Sequence, residues 1–142
     1  MKASHLFSAC TVALSLAVTS ASAHHSFAMF DQDKVWTWEG TVVELQWRQP
    51  HSHIIVDVPK SAGADIAGRW DFESSSPNIA TRQGWNRSSF KAGDKIKVVG
   101  NPMRDGSKAA SLKYAVTPDG KILYHDINRT VTPENTPKTN AR

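Results

Sequence analysis

One stretch of the chain limits the choice of fold more than any other: residues 35–47 alternate in the manner of one long strand. Aromatic and β-branched residues fill much of it, including Trp36 and Trp38, and such residues are typical of β-strands. Gly40 lies inside the run and indicates a bulge or a bend. The sequence therefore predicts a long first strand that can curl.

Shorter segments with strand character follow, and turns separate them. Strands are predicted at residues 52–58, 69–74, 95–99, 109–116 and 121–124. Residues 101–106 are rich in turn-forming types and are predicted to form a loop. Between the third and fourth strands, Ser76 and Pro77 suit an N-cap and a first helical position, and Gly84 follows as a stop.

This order of elements predicts a mainly β fold. We expect a five- to six-stranded OB-fold-like barrel with one short helix between strands 3 and 4. A small β-sandwich is the alternative, and it ranks second because an immunoglobulin-like sandwich needs about seven strands and no helix among them. The length of 142 residues, with 39% apolar and 21% charged residues, fits one soluble domain and excludes collagen-like, coiled-coil and disordered chains.

The first 23 residues have the pattern of a secretory signal peptide. Lys2 supplies a basic start, residues 6–18 form an apolar run, and residues 21–23 read Ala-Ser-Ala, a peptidase site. The run is shorter than the roughly 20 residues that cross a bilayer. We expect cleavage after Ala23, export to the periplasm or the medium of a bacterium, and no transmembrane segment in the mature chain.

The expected mature chain consists of one domain and a tail. Cys10 is the one cysteine, so removal of the signal peptide leaves a chain without a thiol, which must be stabilised by its core. We assign the barrel domain to residues 24–126. Residues 127–142 are predicted to be a flexible tail because they contain almost no apolar side chains.

Four histidines form two tight groups in the mature chain: His24 and His25 at the new N-terminus, and His51 and His53 after the first strand. Imidazole is a common ligand of copper, zinc and nickel. Residues i and i+2 of an extended segment point the same way, so His51 and His53 can present two rings to one metal. After cleavage His24 has a free α-amine, and the amine, its ring and one further imidazole form the nitrogen set called a histidine brace, which suits copper.

We therefore predict a metal site formed by His24, His25, His51 and His53 in a binding or carrier module, with copper ahead of zinc and nickel. The alternative for the same residues is a half-exposed strand face and an unrelated polar N-terminus, with the two groups apart in space.

A second interpretation assigns binding to aromatic and basic residues beside the loops. Trp47 with Arg48, and Trp85 with Arg87, adjoin loops and are predicted to be exposed. Such a surface on an OB-like barrel can hold a small molecule, a glycan or a partner protein by stacking. We expect a monomer that binds no nucleic acid, because export separates the chain from it.

No pattern in the chain predicts a catalytic site. The G-x-S-x-G, P-loop and Rossmann patterns are absent from the sequence. Asp71 and Glu73 share a strand face but alternate with Arg69, which predicts a solvated or salt-bridged face in preference to an acid/base pair. A copper oxidase at an open brace is the one enzyme class left open.

Several short motifs resemble those of a family of small exported bacterial proteins of uncharacterised function. The chain has His-His-Ser-Phe at residues 24–27, Gly-Thr-Val at 40–42, Trp-Arg-Gln-Pro-His at 47–51, Gly-Trp at 84–85 and Lys-Ala-Gly-Asp at 91–94. The family has Trp-x-Asn-Pro-His where this chain has Gln49. The resemblance implies no reaction or ligand, but it implies that both histidine motifs are hallmarks of the family, which favours a shared site.

Overall fold

A computed structural model describes residues 27–125 and 132–133 of the chain. Its strands are β1 (Trp36–Gln46), β2 (His53–Val58), β3 (Gly68–Glu73), β4 (Lys95–Pro102), β5 (Ala109–Val116) and β6 (Ile122–Tyr124). The helix α1 (Pro77–Arg82) lies between β3 and β4, and two 3₁₀ turns span Phe27–Met29 and Lys60–Ala62. The predicted signal peptide, His24, His25 and nearly all of the predicted tail lie outside the described residues. In the part that is described, no helix has the length and apolar character to cross a bilayer.

The six strands form one sheet in the order β3-β2-β1-β4-β5-β6, and β3 also pairs with β5, which closes the first five strands into a barrel. Neighbouring strands are antiparallel except β3 and β5, which run parallel. The closing seam consists of three residue pairs: Asp71 with Ala109, Phe72 with Ala110, and Glu73 with Ser111. The mainly β, OB-fold-like barrel class is thereby confirmed, and the two-sheet sandwich is wrong because the sheet closes on itself.

The long first strand curls as its pattern predicts. Residues 36–41 of β1 pair with β4, whereas residues 41–46 pair with β2. The bulge lies between Val42 and Glu44, not at Gly40 as predicted. Gly40 has a different role, because a Cβ atom there would lie only 2.6 Å from the carbonyl oxygen of Asp57. Glycine therefore permits the close approach of β2.

Aromatic residues from β1 and β3 fill the interior of the barrel. Trp38, Trp70 and Phe72 are at most 2% exposed. The ring centroid of Trp38 lies 4.8 Å from that of Trp70 and 5.0 Å from that of Phe72. Ile54 and Val56 of β2 are fully buried beside them. The alternation in β2 and β3 thus separates an inner apolar face from an outer face that carries charged and histidine side chains.

The fourth strand is longer than its sequence predicts, because residues 100–102 also belong to it. Asn101 pairs with Ser111, and Pro102 pairs with Ala110. Asn101 is 1% exposed, and its side-chain amide donates a hydrogen bond of 2.7 Å to the backbone oxygen of Lys34. Pairing with β5 therefore overrides the turn preference of the Asn-Pro dipeptide.

The segment that precedes β1 is fixed to the far end of β4. Phe30 forms an isolated antiparallel bridge with Met103, and the N–H of Asp31 donates to the carbonyl oxygen of Pro102 at 2.8 Å. The ammonium group of Lys34 bonds the carboxylate of Asp31 at 2.9 Å, and this hydrogen bond lowers the pKa of Asp31. Residue 30 is therefore held at a defined place on the barrel.

Candidate functional site

Two histidines and two carboxylates alternate on the outer face where β2 begins and β3 ends. His53 is directly opposite Glu73 in the antiparallel register, while His51 precedes β2 on the same side of the chain. Two backbone hydrogen bonds between residue 52 and residues 74 and 75 extend this pairing beyond β2. We call the set His51, His53, Asp71 and Glu73 the histidine–carboxylate ladder.

Each imidazole of the ladder is bonded to a carboxylate of β3 through its Nδ1 atom. The distance from His51 Nδ1 to Glu73 Oε1 is 2.6 Å, and that from His53 Nδ1 to Asp71 Oδ1 is 2.7 Å. The side chains are half-buried, with 35% of His51 and 18% of His53 exposed. A carboxylate at Nδ1 fixes the orientation of a ring and, in the neutral ring, selects the tautomer with the lone pair on Nε2.

The ladder has a polar neighbour on β1. Gln46 of β1 is the register partner of His53 on the side away from Glu73. The amide nitrogen of Gln46 donates to Glu44, and its Oε1 atom is buried with no hydrogen-bond partner among the described residues. Three strands therefore contribute polar side chains to this part of the outer face.

The other end of the same face carries an ordinary ion pair. Arg69 bonds both carboxylate oxygens of Asp57, each at 2.8 Å, and the two side chains are about half exposed or more. The hydrogen bond from Arg69 lowers the pKa of Asp57 and raises that of Arg69. Arg69 is thus paired with Asp57, although the sequence places Arg69 on one strand face with Asp71 and Glu73.

The four predicted metal ligands have different outcomes in the structure. His51 and His53 lie on one face, as the i, i+2 spacing predicts. Their rings contact Glu73 and Asp71 in a row of pairs, and within residues 27–125 and 132–133 no group of three or more His, Cys, Asp or Glu side chains is arranged to hold a metal ion. His24 and His25 lie outside the described residues, so the complete ligand set stays a prediction.

The alternative binding surface is only partly exposed. Trp85 is 1% exposed and donates a hydrogen bond of 2.8 Å from its ring nitrogen to the backbone oxygen of Tyr124, so its predicted exposure is wrong. Trp47 is half-buried and packs against the core. Arg48 and Arg87 are exposed. The stacking surface therefore lacks one of its two aromatic rings, because β6 covers Trp85.

The sequence missed the partnership between the histidines and the carboxylates. Residues 53 and 71 are 18 positions apart, and only the register of β2 with β3 brings them together. The available signal was the shared alternation, with His-x-His on one strand and Asp-x-Glu on the next. Opposite charge types on paired strands favour such cross-strand contacts.

Comparison with known proteins gives a family and no function. The sequence profile of a family of unknown function, DUF6152, matches residues 12–112 of the chain. No curated protein matches the chain in sequence.

Proposed function

The chain is a member of the DUF6152 family, and we propose that it is an exported protein that binds a transition metal, copper ahead of zinc or nickel. The ligands would be His51 and His53 together with His24 and His25. The observation that supports this most is the pair of Nδ1–carboxylate hydrogen bonds in the ladder, at 2.6 and 2.7 Å.

This arrangement is the one that ligating histidines usually have. A histidine bound to a metal through one ring nitrogen almost always donates its other N–H to a carboxylate, a carbonyl or water. In the ladder Nδ1 makes that bond, so Nε2 is the atom that would bind the metal. The carboxylates hold the rings in place, which reduces the ordering that binding requires.

The N-terminal histidines would approach the ladder from the segment before β1. Gln32 of that segment and His51 of the ladder line the same cleft of the barrel. Residues 28–31 are held on the end of β4, so three residues lead from Phe27 back to His24, and an extended chain of that length spans at most about 11 Å. Cleavage after Ala23 would free the α-amine of His24 to chelate a metal together with its own ring. Added to two imidazoles, this gives a nitrogen-rich set, which suits Cu(II).

The role that fits this site is binding or delivery of the metal outside the cytoplasm. The proposed ligands are all neutral nitrogen donors, so they neutralise none of the charge on Cu(II). The proposed function is that of a binding or carrier module, with no reaction assigned.

The test uses the chain produced with its own first 23 residues in a bacterium and purified from the periplasm. Mass spectrometry determines the first residue of the purified chain, and electron spin resonance follows a titration with Cu(II). We expect His24 as first residue and a spectrum with nitrogen hyperfine lines from several ligands. His51→Ala and His53→Ala should each weaken Cu(II) binding about tenfold or more, whereas His125→Ala, which removes a histidine outside the ladder, should not.

Three results would overturn the proposal: recovery of the chain only from the cytoplasm, a spectrum without nitrogen ligands, or a spectrum unchanged in His51→Ala and His53→Ala. A different first residue would remove His24 from the ligand set. Tighter binding of zinc or nickel than of copper would reject the choice of metal.

A further inference from the structure

A cleft of about 720 Å³ lies beside the ladder, between the loop before β2, α1 and β5. Its wall includes serine side chains from two places, Ser75 after β3 and Ser111 on β5. We call it the serine cleft. Its volume falls within the range of about 300–1,000 Å³ that small-molecule sites occupy.

Polar groups without partners point to a ligand in the serine cleft. Ser75 is 7% exposed, and its hydroxyl has no hydrogen-bond partner among the described residues. The same holds for the Oε1 atom of Gln83, whose side-chain nitrogen donates to the backbone oxygen of His125 at 2.6 Å. A buried polar group left unpaired destabilises the protein, so a ligand that pairs both groups would recover free energy.

The charges of the wall have one sign. Lys113, His51 and His125 line the cleft, and no aspartate or glutamate is among the described residues of its wall. Lys113 forms no ion pair with any described residue, and its ammonium group is placed to meet an anion in the cleft. Apolar contact is available from Ile79, which lines the cleft and is 46% exposed.

A second cleft of about 600 Å³, at the opposite end of β2, has a different character. Its wall includes Glu39 and Lys97, which form an ion pair of 3.1 Å with each other, and Lys95, which bonds the hydroxyl of Thr41. Asp57, also in this wall, is paired with Arg69, so each of these charged groups already has a partner within the protein. The serine cleft is therefore the one whose polar groups need a ligand.

We propose that the serine cleft binds a small hydroxycarboxylate with a compact apolar body. The carboxylate is placed against the ammonium group of Lys113 and the hydroxyl of Ser75, which donate to it. The hydroxyl of the ligand donates to Oε1 of Gln83, and the apolar part packs on Ile79. An amino acid fits less well, because its ammonium group would lie near that of Lys113 and no described carboxylate of the wall would pair with it. This inference goes beyond the proposed metal site and does not depend on it.

Mandelate is a suitable probe, since it has the carboxylate, the neighbouring hydroxyl and an apolar ring. The full chain, labelled with ¹⁵N and kept in EDTA to exclude metals, is titrated with mandelate, with mandelamide, which lacks the charge, and with phenylacetate, which lacks the hydroxyl. We expect saturable shifts at the amides of Ser75, Gln83 and Lys113. Mandelamide should bind about tenfold or more weakly, because a hydrogen bond to a charged group contributes about 1.5–3 kcal/mol. Phenylacetate should bind more weakly than mandelate by a smaller factor of about three or more.

Two variants locate the site. Lys113→Gln should weaken mandelate binding about tenfold, and Ser75→Ala should weaken it by a smaller factor. Lys91→Gln, which alters an exposed lysine in the turn before β4, is the matched control and should change nothing. Equal affinity for mandelamide, unchanged binding in Lys113→Gln, shifts outside the serine cleft, or no saturable binding would each overturn the proposal. Because EDTA is present throughout, failure of the metal proposal does not alter any of these outcomes.

Discussion

The two ends of the outer face of β2 and β3 combine carboxylates with nitrogen bases in different ways. At one end Arg69 uses two nitrogens on the two oxygens of Asp57, each at 2.8 Å. At the other end each histidine of the ladder uses Nδ1 on its carboxylate. A guanidinium group is always protonated and has no lone pair to give, whereas a neutral imidazole has a second nitrogen that can bind a metal. The pair of Arg69 and Asp57 therefore offers no nitrogen lone pair to a metal, whereas each histidine of the ladder has a second ring nitrogen that can bind one.

The largest expected effect is on stability, and it comes from truncating a core side chain of β3, the strand that contributes to both ends of this face. Phe72 lies between Asp71 and Glu73 in β3 but points inward and is fully buried. Phe72→Ala should lower the free energy of unfolding by about 3–5 kcal/mol, because it deletes a large core side chain and leaves a cavity. Urea unfolding followed by tryptophan fluorescence measures this change. A loss below about 1 kcal/mol would show that the core does not hold these strands as described.

The next effect should separate the two ends. Asp71→Asn and Glu73→Gln keep the shape of the ladder but weaken its hydrogen bonds to imidazole, so each should lower copper affinity about 10–100-fold. Asp57→Asn is the matched control at the other end of the face and should leave copper affinity unchanged. Competition with a coloured copper chelator measures all three affinities. Equal losses in the three variants would mean that overall negative charge, not the ladder, attracts the metal.

The smallest effect concerns the Arg69 end alone. The pKa of Asp57 is lowered in the folded chain by its bond to Arg69, so the pair stabilises the fold when Asp57 is ionised. Asp57→Asn should lower the free energy of unfolding by only about 0.2–1 kcal/mol at neutral pH, since the pair is exposed. This difference should be present above about pH 4 and disappear as the pH falls through the lowered pKa. Urea unfolding at several pH values tests it, and a difference that grows on acidification would contradict the assignment.

The sequence was sufficient for the faces of the strands but not for their register. Alternation is sufficient to put His51 and His53 on one face, because side chains of a strand point to opposite faces in turn. Which residue of β3 faces His53 depends on how the hairpin loop sets the register, and composition does not encode that directly. Alternation within β3 therefore predicts only a solvated or salt-bridged face for Asp71, Glu73 and Arg69, and not their partners on β2.

Loop neighbours were a poor guide to burial. Trp85 was predicted to be exposed because it adjoins polar and basic residues, yet the carbonyl oxygen of Tyr124 on β6 accepts its N–H and the ring is buried. An indole beside a loop can satisfy its one donor with a distant strand, which local sequence cannot indicate. Likewise, the length of β4 depended on its partner strand and not on the turn preferences of Asn101 and Pro102.

The short seam that closes the barrel also connects the ladder to the serine cleft. Asp71 and Glu73 are the outer residues of the same three-residue segment of β3 that pairs with β5, and Glu73 lies opposite Ser111 of the serine cleft. Pairing of β2 with β3 alone brings each imidazole to its carboxylate, because that register forms both contacts. Closure of the barrel through β3 and β5 then places the ladder beside the serine cleft, so opening the seam would separate the two sites and leave the histidine–carboxylate pairs intact.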